Sequence, residues 1–102
     1  MSEGRHTILL IQTTKSRSSR TYLDYESVSE AMDGICGLFE KKLKESQPTQ
    51  RLLSYDVEQL YGFLDEMVDI SALVYEGGMY QPHPKSWIKK RCYMHLRRQA
   101  SK

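Results

Sequence analysis

The sequence predicts an α+β domain in which a four-stranded antiparallel sheet carries three amphipathic helices on one face. Three observations lead to this fold class. Residues 8–11 are four consecutive aliphatic side chains, a run that fits a strand and is too short for a free-standing helix. Capping signals at Ser27 and Asp56 each precede an apolar stripe with helical spacing. A glycine pair at 77–78 separates two further strand-like segments, which is typical of a tight hairpin.

The first predicted strand, residues 6–12, is apolar on both of its faces. Side chains alternate along a strand, so Ile8 and Leu10 point to one side of the sheet. Leu9 and Ile11 point to the other side. Antiparallel sheets in small domains usually have one solvent-exposed face. A strand with apolar side chains on both faces therefore needs apolar contacts on both sides of the sheet. Either helices cover both faces of the sheet, or a second molecule covers one of them.

The other three strands are shorter and are bounded by turn residues. A polar, turn-prone loop at 13–19 precedes the second strand at 20–24. The third strand, 70–75, and the fourth, 79–81, flank the glycine pair. We expect the fourth strand to end at Pro82, because proline has no backbone N–H to donate.

The three helices have identifiable starts. Ser27 with Glu30, and Asp56 with Gln59, have the spacing of capping boxes, and residues 46–50 are expected to break the first helix. The third helix follows Pro84. The apolar stripes are Val28, Met32, Ile35, Phe39 and Leu43 in the first helix, Val57, Leu60, Tyr61, Leu64, Met67 and Val68 in the second, and Trp87, Ile88, Cys92, Tyr93 and Leu96 in the third.

Two glycines and two cysteines lie inside these predicted helices. Gly34 and Gly37 each cost about 1 kcal/mol relative to alanine, and we expect them to allow another group to approach closely. Cys36 and Cys92 lack metal-ligand spacing, so we expect reduced and mostly buried thiols.

The element order ββααββα describes one domain of 102 residues, with residues 1–5 as a flexible leader and 100–102 as a flexible tail. The predicted sheet is a four-stranded antiparallel meander. Three helices can cover one face of such a sheet and could hardly cover both. The uncovered face is therefore expected to meet another protein, and a symmetric homodimer is the simplest arrangement that supplies one.

Charge is distributed unevenly along the chain, although the net charge is only +2. Glu76 is the last acidic residue. The basic residues after it are Lys85, Lys89, Lys90, Arg91, Arg97, Arg98 and Lys102. This asymmetry is compatible with a surface for nucleic acid or an acidic partner, and equally with a solvated basic helix face.

The sequence contains no recognisable catalytic or cofactor-binding constellation. Asp65, Glu66 and Asp69 lie near each other, but no histidine, glycine-rich loop or further oxygen ligand accompanies them. His83 and His95 are isolated and are expected to be surface or partly buried side chains rather than metal ligands. We therefore expect neither an enzyme nor a cofactor. No apolar run approaches the length of a membrane span and no signal peptide is visible, which predicts an intracellular protein.

Six segments together resemble the enhancer of rudimentary family over nearly the full length of the chain. They are HTILLIQ at 6–12, RTYLDYESV at 20–28, LVY at 73–75, YQP at 80–82, WIK at 87–89 and LRRQA at 96–100. The resemblance implies a homodimer that packs its exposed sheet faces together. It also implies a non-enzymatic adaptor, mainly nuclear, with cytoplasm or perinuclear granules as further locations. Such an adaptor gathers RNA-processing factors for small-RNA biogenesis, gene silencing, mRNA processing and chromosome segregation by binding short segments of disordered partners.

The resemblance also suggests roles for individual residues. The expected dimer interface consists of Ile8, Leu10, Tyr22, Leu73 and Tyr75, and a partner-binding surface is sought around Ile35, Leu38 and Phe39. Thr21 and Ser27 match positions targeted by an acidophilic kinase, although Ser27 is equally explained as a helix cap. The alternative function is weak direct RNA binding through Lys89, Lys90, Arg97 and Arg98. The turn at 76–79 is shorter than the usual family loop and is expected to tighten its hairpin, and the connection at 46–54 also differs.

Overall fold

The computed structural model describes residues 5–46 and 55–100, and the side chain of Ala100 is not included in that description. The strands are β1 (Thr7–Gln12), β2 (Arg20–Tyr25), β3 (Asp69–Glu76) and β4 (Met79–His83). The helices are α1 (Val28–Ser46), α2 (Val57–Glu66) and α3 (Lys85–Ala100), with a short 3-10 turn at Arg17–Ser19. The predicted α+β class and the order ββααββα are confirmed.

The four strands form one antiparallel sheet in the order β2-β1-β3-β4, so the predicted meander is wrong. In a meander β2 would pair with β3, whereas here β1 lies between them and pairs with both. Leu9 stands opposite Leu23 on β2 and opposite Ala72 on β3. The most apolar strand therefore occupies a central position, where both of its edges are hydrogen-bonded and its side chains are best shielded.

The helices cover only one face of the sheet, as predicted. Leu9 is fully buried and Ile11 nearly so, whereas the alternating residues Ile8 and Leu10 stay half-buried. The same alternation occurs on β3, where Ile70, Ala72 and Val74 are buried. These side chains join apolar residues of all three helices in one core, which includes Met32, Ile35, Leu60, Leu64 and Ile88. The face that holds Ile8 and Leu10 has no helix over it among the described residues.

Local signals mark the starts of α1 and α2 and the turn between β3 and β4. Asp56 and Gln59 form a complete capping box at the start of α2. At the start of α1, the Ser27 hydroxyl accepts a hydrogen bond from the Glu30 backbone N–H at 3.1 Å, which is the first half of the predicted box. Gly77 and the glycine after it have φ of 59° and 89°, so the two-residue turn uses the conformation that glycine adopts without strain.

Several boundaries differ from the prediction. Pro82 lies within β4, because β4 is an edge strand and its outer side needs no donor. Val68 was assigned to the stripe of α2, but it follows the end of that helix and is 50% exposed. Arg5, assigned to the flexible leader, forms an ion pair with Glu76. The predicted helix break and connection at 47–54 lie outside the described residues.

The two glycines of α1 behave differently. A Cβ atom at Gly34 would lie 2.6 Å from Cζ of the Tyr25 ring, so the close approach expected there is confirmed, but it is made by a side chain of β2 and not by another backbone. A Cβ atom at Gly37 would meet nothing within 4 Å, so the expected close packing is wrong at that position. Gly37 is exposed on the outer side of the helix.

Candidate partner-binding surfaces

The uncovered sheet face collects the residues that the sequence assigned to a dimer interface. Leu10 stands opposite Tyr22 on β2, and Ile8 stands opposite Leu73 on β3. Tyr75 shares this face one step further along β3. The five side chains therefore share one face across three adjacent strands, where Asp24 and Ser71, the register partners of Ile8 and Leu10, lie among them.

Aromatic side chains at the edges enlarge this face. Tyr22 is 74% exposed, and the rings of Tyr75 and Tyr80 meet edge to face at 5.1 Å between centroids. The Tyr80 hydroxyl also lies 2.8 Å from Nδ1 of His6. The sequence pattern did not identify Tyr80, although the register of the 77–78 turn places it directly opposite Tyr75. An exposed apolar face with a rim of tyrosines is the composition expected at protein–protein interfaces.

A separate concave surface lies on the helix side of the sheet. It is a groove of about 400 Å³ between the β1–β2 hairpin, α1 and α2. Its walls are mainly apolar and consist of Ile11, Leu23, Leu38, Phe63 and Met67, with Thr13, Thr21, Lys42 and Glu66 at the rim. We call this the hairpin groove. For comparison, an apolar cavity of about 150 Å³ holds one benzene molecule, so the groove has room for at least two large side chains.

One ion pair spans the mouth of the hairpin groove. Lys42 Nζ of α1 lies 2.6 Å from Glu66 Oε1 of α2 and 5.5 Å from the centroid of the Phe63 ring. Both charged side chains are more than half exposed. Solvent-exposed pairs of this kind contribute little to stability, so the pair is easily opened. Its two charges cancel, which leaves the groove apolar inside and neutral at the rim.

The expected partner-binding residues of α1 do not all reach the surface. Ile35 is fully buried and Phe39 is 5% exposed, because both point from α1 into the core. Ile35 lines neither concavity, so its assignment to a partner-binding surface is corrected. Phe39 lines a neighbouring cleft between α1 and α2, and Leu38 is 36% exposed and lines the hairpin groove. Phe63 was missed because it lies off the core-facing stripe of α2. The sequence feature that could have identified Phe63 is its apolar side chain outside the core-facing stripe of α2.

The two predicted phosphorylation positions differ in accessibility. Thr21 is exposed and stands opposite the buried Ile11. It borders both the hairpin groove and a concavity lined by Leu10 and Tyr22. Ser27 is only 8% exposed and its hydroxyl accepts the bond from Glu30 that caps α1. The structure therefore supports the capping explanation for Ser27 and does not test modification of either residue.

The basic residues of α3 separate into two groups. Lys89 Nζ lies 2.8 Å from Asp65 Oδ1, and this hydrogen bond lowers the pKa of the Asp65 carboxyl group. Lys90, Arg97 and Arg98 are exposed instead, and the Arg97 guanidinium lies 5.7 Å from the Tyr93 ring. One of the four predicted RNA-contacting residues thus holds α3 to α2, while three face solvent together with an aromatic ring.

The buried thiols and two of the histidines contact other side chains of the fold. Cys36 and Cys92 are free and buried, as predicted, and contact each other where α1 packs on α3. The hydrogen bond to Cys36, with burial, raises the pKa of Cys92. His83 stacks on Trp87 at 4.2 Å, and His95 Nε2 lies 3.3 Å from the Asp33 carboxylate. Among the described residues, no group of histidine, cysteine and acidic side chains could hold a metal ion.

Comparisons with known proteins show which family the chain belongs to. The family model described as "Enhancer of rudimentary" matches residues 3–102. The chain belongs to the enhancer of rudimentary family. It is 49% identical to the enhancer of rudimentary homolog of Arabidopsis thaliana over 102 residues, which covers 98% of this chain and 94% of the relative.

Other members of the enhancer of rudimentary family are nearly as similar. The homolog of Dictyostelium discoideum is 46% identical over 97 residues, covering 93% of this chain and 97% of the relative. The protein enhancer of rudimentary of Drosophila virilis is 45% identical over 97 residues, covering 93% of each. No helix among the described residues of this family member is both long and apolar enough to cross a membrane.

Proposed function

We propose that this protein is a small homodimeric adaptor, without enzymatic activity, that binds short segments of RNA-processing proteins. The observation that carries the proposal is the presence of two apolar surfaces on opposite sides of one sheet. One is the flat face around Leu10 and Tyr22, and the other is the concave hairpin groove. A flat face suits a second copy of the chain, and a groove suits a peptide. An adaptor needs both kinds of contact at once.

The assembly proposed here is a dimer that packs two uncovered sheet faces together. Ile8, Leu10 and Leu73 would lie at its centre, with Tyr22 and Tyr75 around them. In a symmetric dimer both protomers contribute the same face, so each of these apolar side chains becomes covered in both copies of the chain. The helices and both hairpin grooves then remain on the outside, where partners have access to them.

The partners proposed here are disordered segments of proteins that act in small-RNA biogenesis, gene silencing, mRNA processing or chromosome segregation. The family resemblance supports this pathway assignment, and the neutral, apolar groove supports capture of a protein segment. Such segments bind through a few apolar anchors. We propose the nucleus as the main location, with cytoplasm or perinuclear granules as further sites.

Replacing Ile8 and Leu10 with arginine tests the assembly. Both side chains are only half-buried in the protomer, so the fold is expected to survive, while two like charges per protomer would face each other in the dimer. Light scattering at micromolar concentration should give a dimer for the wild type and a monomer for the double variant. A monomeric wild-type protein would remove this part of the proposal.

Affinity purification with mass spectrometry tests the adaptor role. The Leu38→Asp variant places a charge in the hairpin groove, and Tyr93→Asp places the same charge on the exposed side of α3. RNA-processing proteins should be recovered with wild type and Tyr93→Asp and lost with Leu38→Asp. Recovery of no ribonucleoprotein factor by the wild type, from nuclear or cytoplasmic extract, argues against the adaptor function.

Weak RNA binding by α3 is the second candidate. The exposed Tyr93 ring beside Arg97 offers stacking and charge together, a combination used for single-stranded nucleic acid. Affinity for single-stranded RNA should then fall steeply with salt, because phosphate contacts release counterions. Binding that is independent of salt, or absent at low salt, excludes this candidate.

A further inference from the structure

A second concavity adjoins the hairpin groove. It is a cleft of about 270 Å³ between α1 and α2, bounded by Phe39, Leu43, Gln59 and Gly62. Lys42, Phe63 and Glu66 line both the cleft and the hairpin groove. The two concavities are therefore neighbours across a single ion pair, and opening that pair would join them into one channel along α2.

Among the described residues, no packing contact requires a glycine at position 62. A Cβ atom at this position would meet nothing within 4 Å, unlike one at Gly34. Glycine in the middle of a helix lowers helix stability relative to alanine, and α2 has only ten residues. The residue is therefore unfavourable for the fold and makes no compensating contact among the described residues. Because residue 62 has no side chain, no atoms project from it into the cleft.

We propose that a partner segment occupies both concavities, crossing between them at the Lys42–Glu66 pair and laying its backbone against Gly62. This inference rests on the proposed function and extends the binding surface beyond the hairpin groove. Apolar side chains of the segment fill the space beside Leu38 and Phe63, and the open space at Gly62 admits the main chain. Gly62 is thereby a residue that determines which segments fit.

The charge and shape of the channel indicate the occupant. Lys42 and Glu66 cancel each other, so the rim offers a polyanion such as RNA no net attraction. A second copy of this chain is assigned, in the proposed dimer, to the uncovered face on the opposite side of the sheet, so it does not account for this channel. A short protein segment that is mainly apolar and carries little net charge fits both features. A small residue in the part of the segment that lies in the cleft would be closest to Gly62.

The test uses peptides selected on the wild-type protein from a phage-displayed library of random sequences. The variants are Gly62→Gln, which fills the cleft, and Gly37→Gln, which adds the same helix-favouring side chain at an exposed site of α1 outside both concavities. Circular dichroism should show both variants folded and at least as heat-stable as the wild type. Peptide affinity should fall about tenfold or more for Gly62→Gln and stay unchanged for Gly37→Gln.

Amide chemical shifts of the labelled wild-type protein locate the bound peptide independently. Perturbations on both sides of Lys42, at Leu38 and at Gly62, support the channel. Equal affinities of the two glutamine variants, with shifts confined to the hairpin groove, overturn the channel and leave the proposed function intact. Peptides that shift neither concavity, or a library that yields no binder, overturn both proposals.

Discussion

Replacing Tyr22 with alanine should weaken the proposed homodimer without unfolding the protomer. Tyr22 is 74% exposed in the protomer, and an aromatic side chain offers about 150–250 Å² for burial. Covering the exposed part removes roughly 100–150 Å² from water, worth about 2.5–4 kcal/mol at about 25 cal/mol per Å². A symmetric dimer loses this contribution twice. Because about 1.4 kcal/mol corresponds to a factor of ten, the dimer dissociation constant should rise roughly a thousandfold or more.

Sedimentation equilibrium over a range of protein concentrations measures that constant directly. Tyr93→Ala is the matched control, because Tyr93 is also exposed, at 42%, but lies on α3 away from the sheet face. The control should dimerise like the wild type. Far-ultraviolet circular dichroism at high concentration should show the same secondary structure in all three proteins, since Tyr22 contributes little to the core of its own protomer.

Two results would refute this reasoning. An unchanged dissociation constant for Tyr22→Ala would show that the uncovered sheet face is not the contact between protomers. Loss of secondary structure in Tyr22→Ala, with Tyr93→Ala intact, would show that Tyr22 stabilises the protomer itself. The second result would contradict the exposure on which the estimate is based.

Three further predictions concern the protomer. Gly34→Ala should lower the free energy of unfolding by about 1–3 kcal/mol, because the new methyl group overlaps the ring of Tyr25. Gly37→Ala should raise it by up to about 1 kcal/mol, because nothing lies near that position. Urea denaturation compares the two variants, and equal effects would contradict the close approach of Tyr25 to Gly34. Asp56→Ala should cost about 1 kcal/mol in the same assay through loss of the α2 cap, and no loss would show that the cap is dispensable. The hydrogen bond from Lys89 lowers the pKa of Asp65, so the stabilisation by this ion pair is present at neutral pH and is lost as the pH falls through the lowered pKa. The difference in Tm between wild type and Asp65→Asn should therefore be small, shrink to zero in acid and weaken in high salt. A difference that does not depend on pH would exclude the ion pair as its cause.

The features predicted correctly depend on neighbouring residues in the chain. The capping box at Asp56 requires only a partner three residues away. The 77–78 turn requires only that two glycines take positive φ. The alternation of Leu9 and Leu10 between opposite faces follows from the geometry of a single strand. Local sequence contains the information that these features need.

The features predicted wrongly depend on contacts between distant segments. Sequence alone offered no reason to pair β3 with β1 rather than β2, since that choice depends on where α1 and α2 carry the chain. The hairpin groove could not be predicted from the sequence either, because Leu23, Leu38 and Phe63 come from three different elements. Leu38 could be named from its helix, but its neighbours in the groove could not.

The element order, the caps, the turn and the two-sided character of β1 can be read from the sequence, because each of these follows from backbone geometry and short-range hydrogen bonding. Three further features emerge only in the folded chain: β1 is central, Ile35 belongs to the core while Leu38 faces a groove, and Lys89 is held by Asp65. Burial and charge pairing are set by which elements pack together. Packing of elements distant in sequence is a property of the whole folded chain.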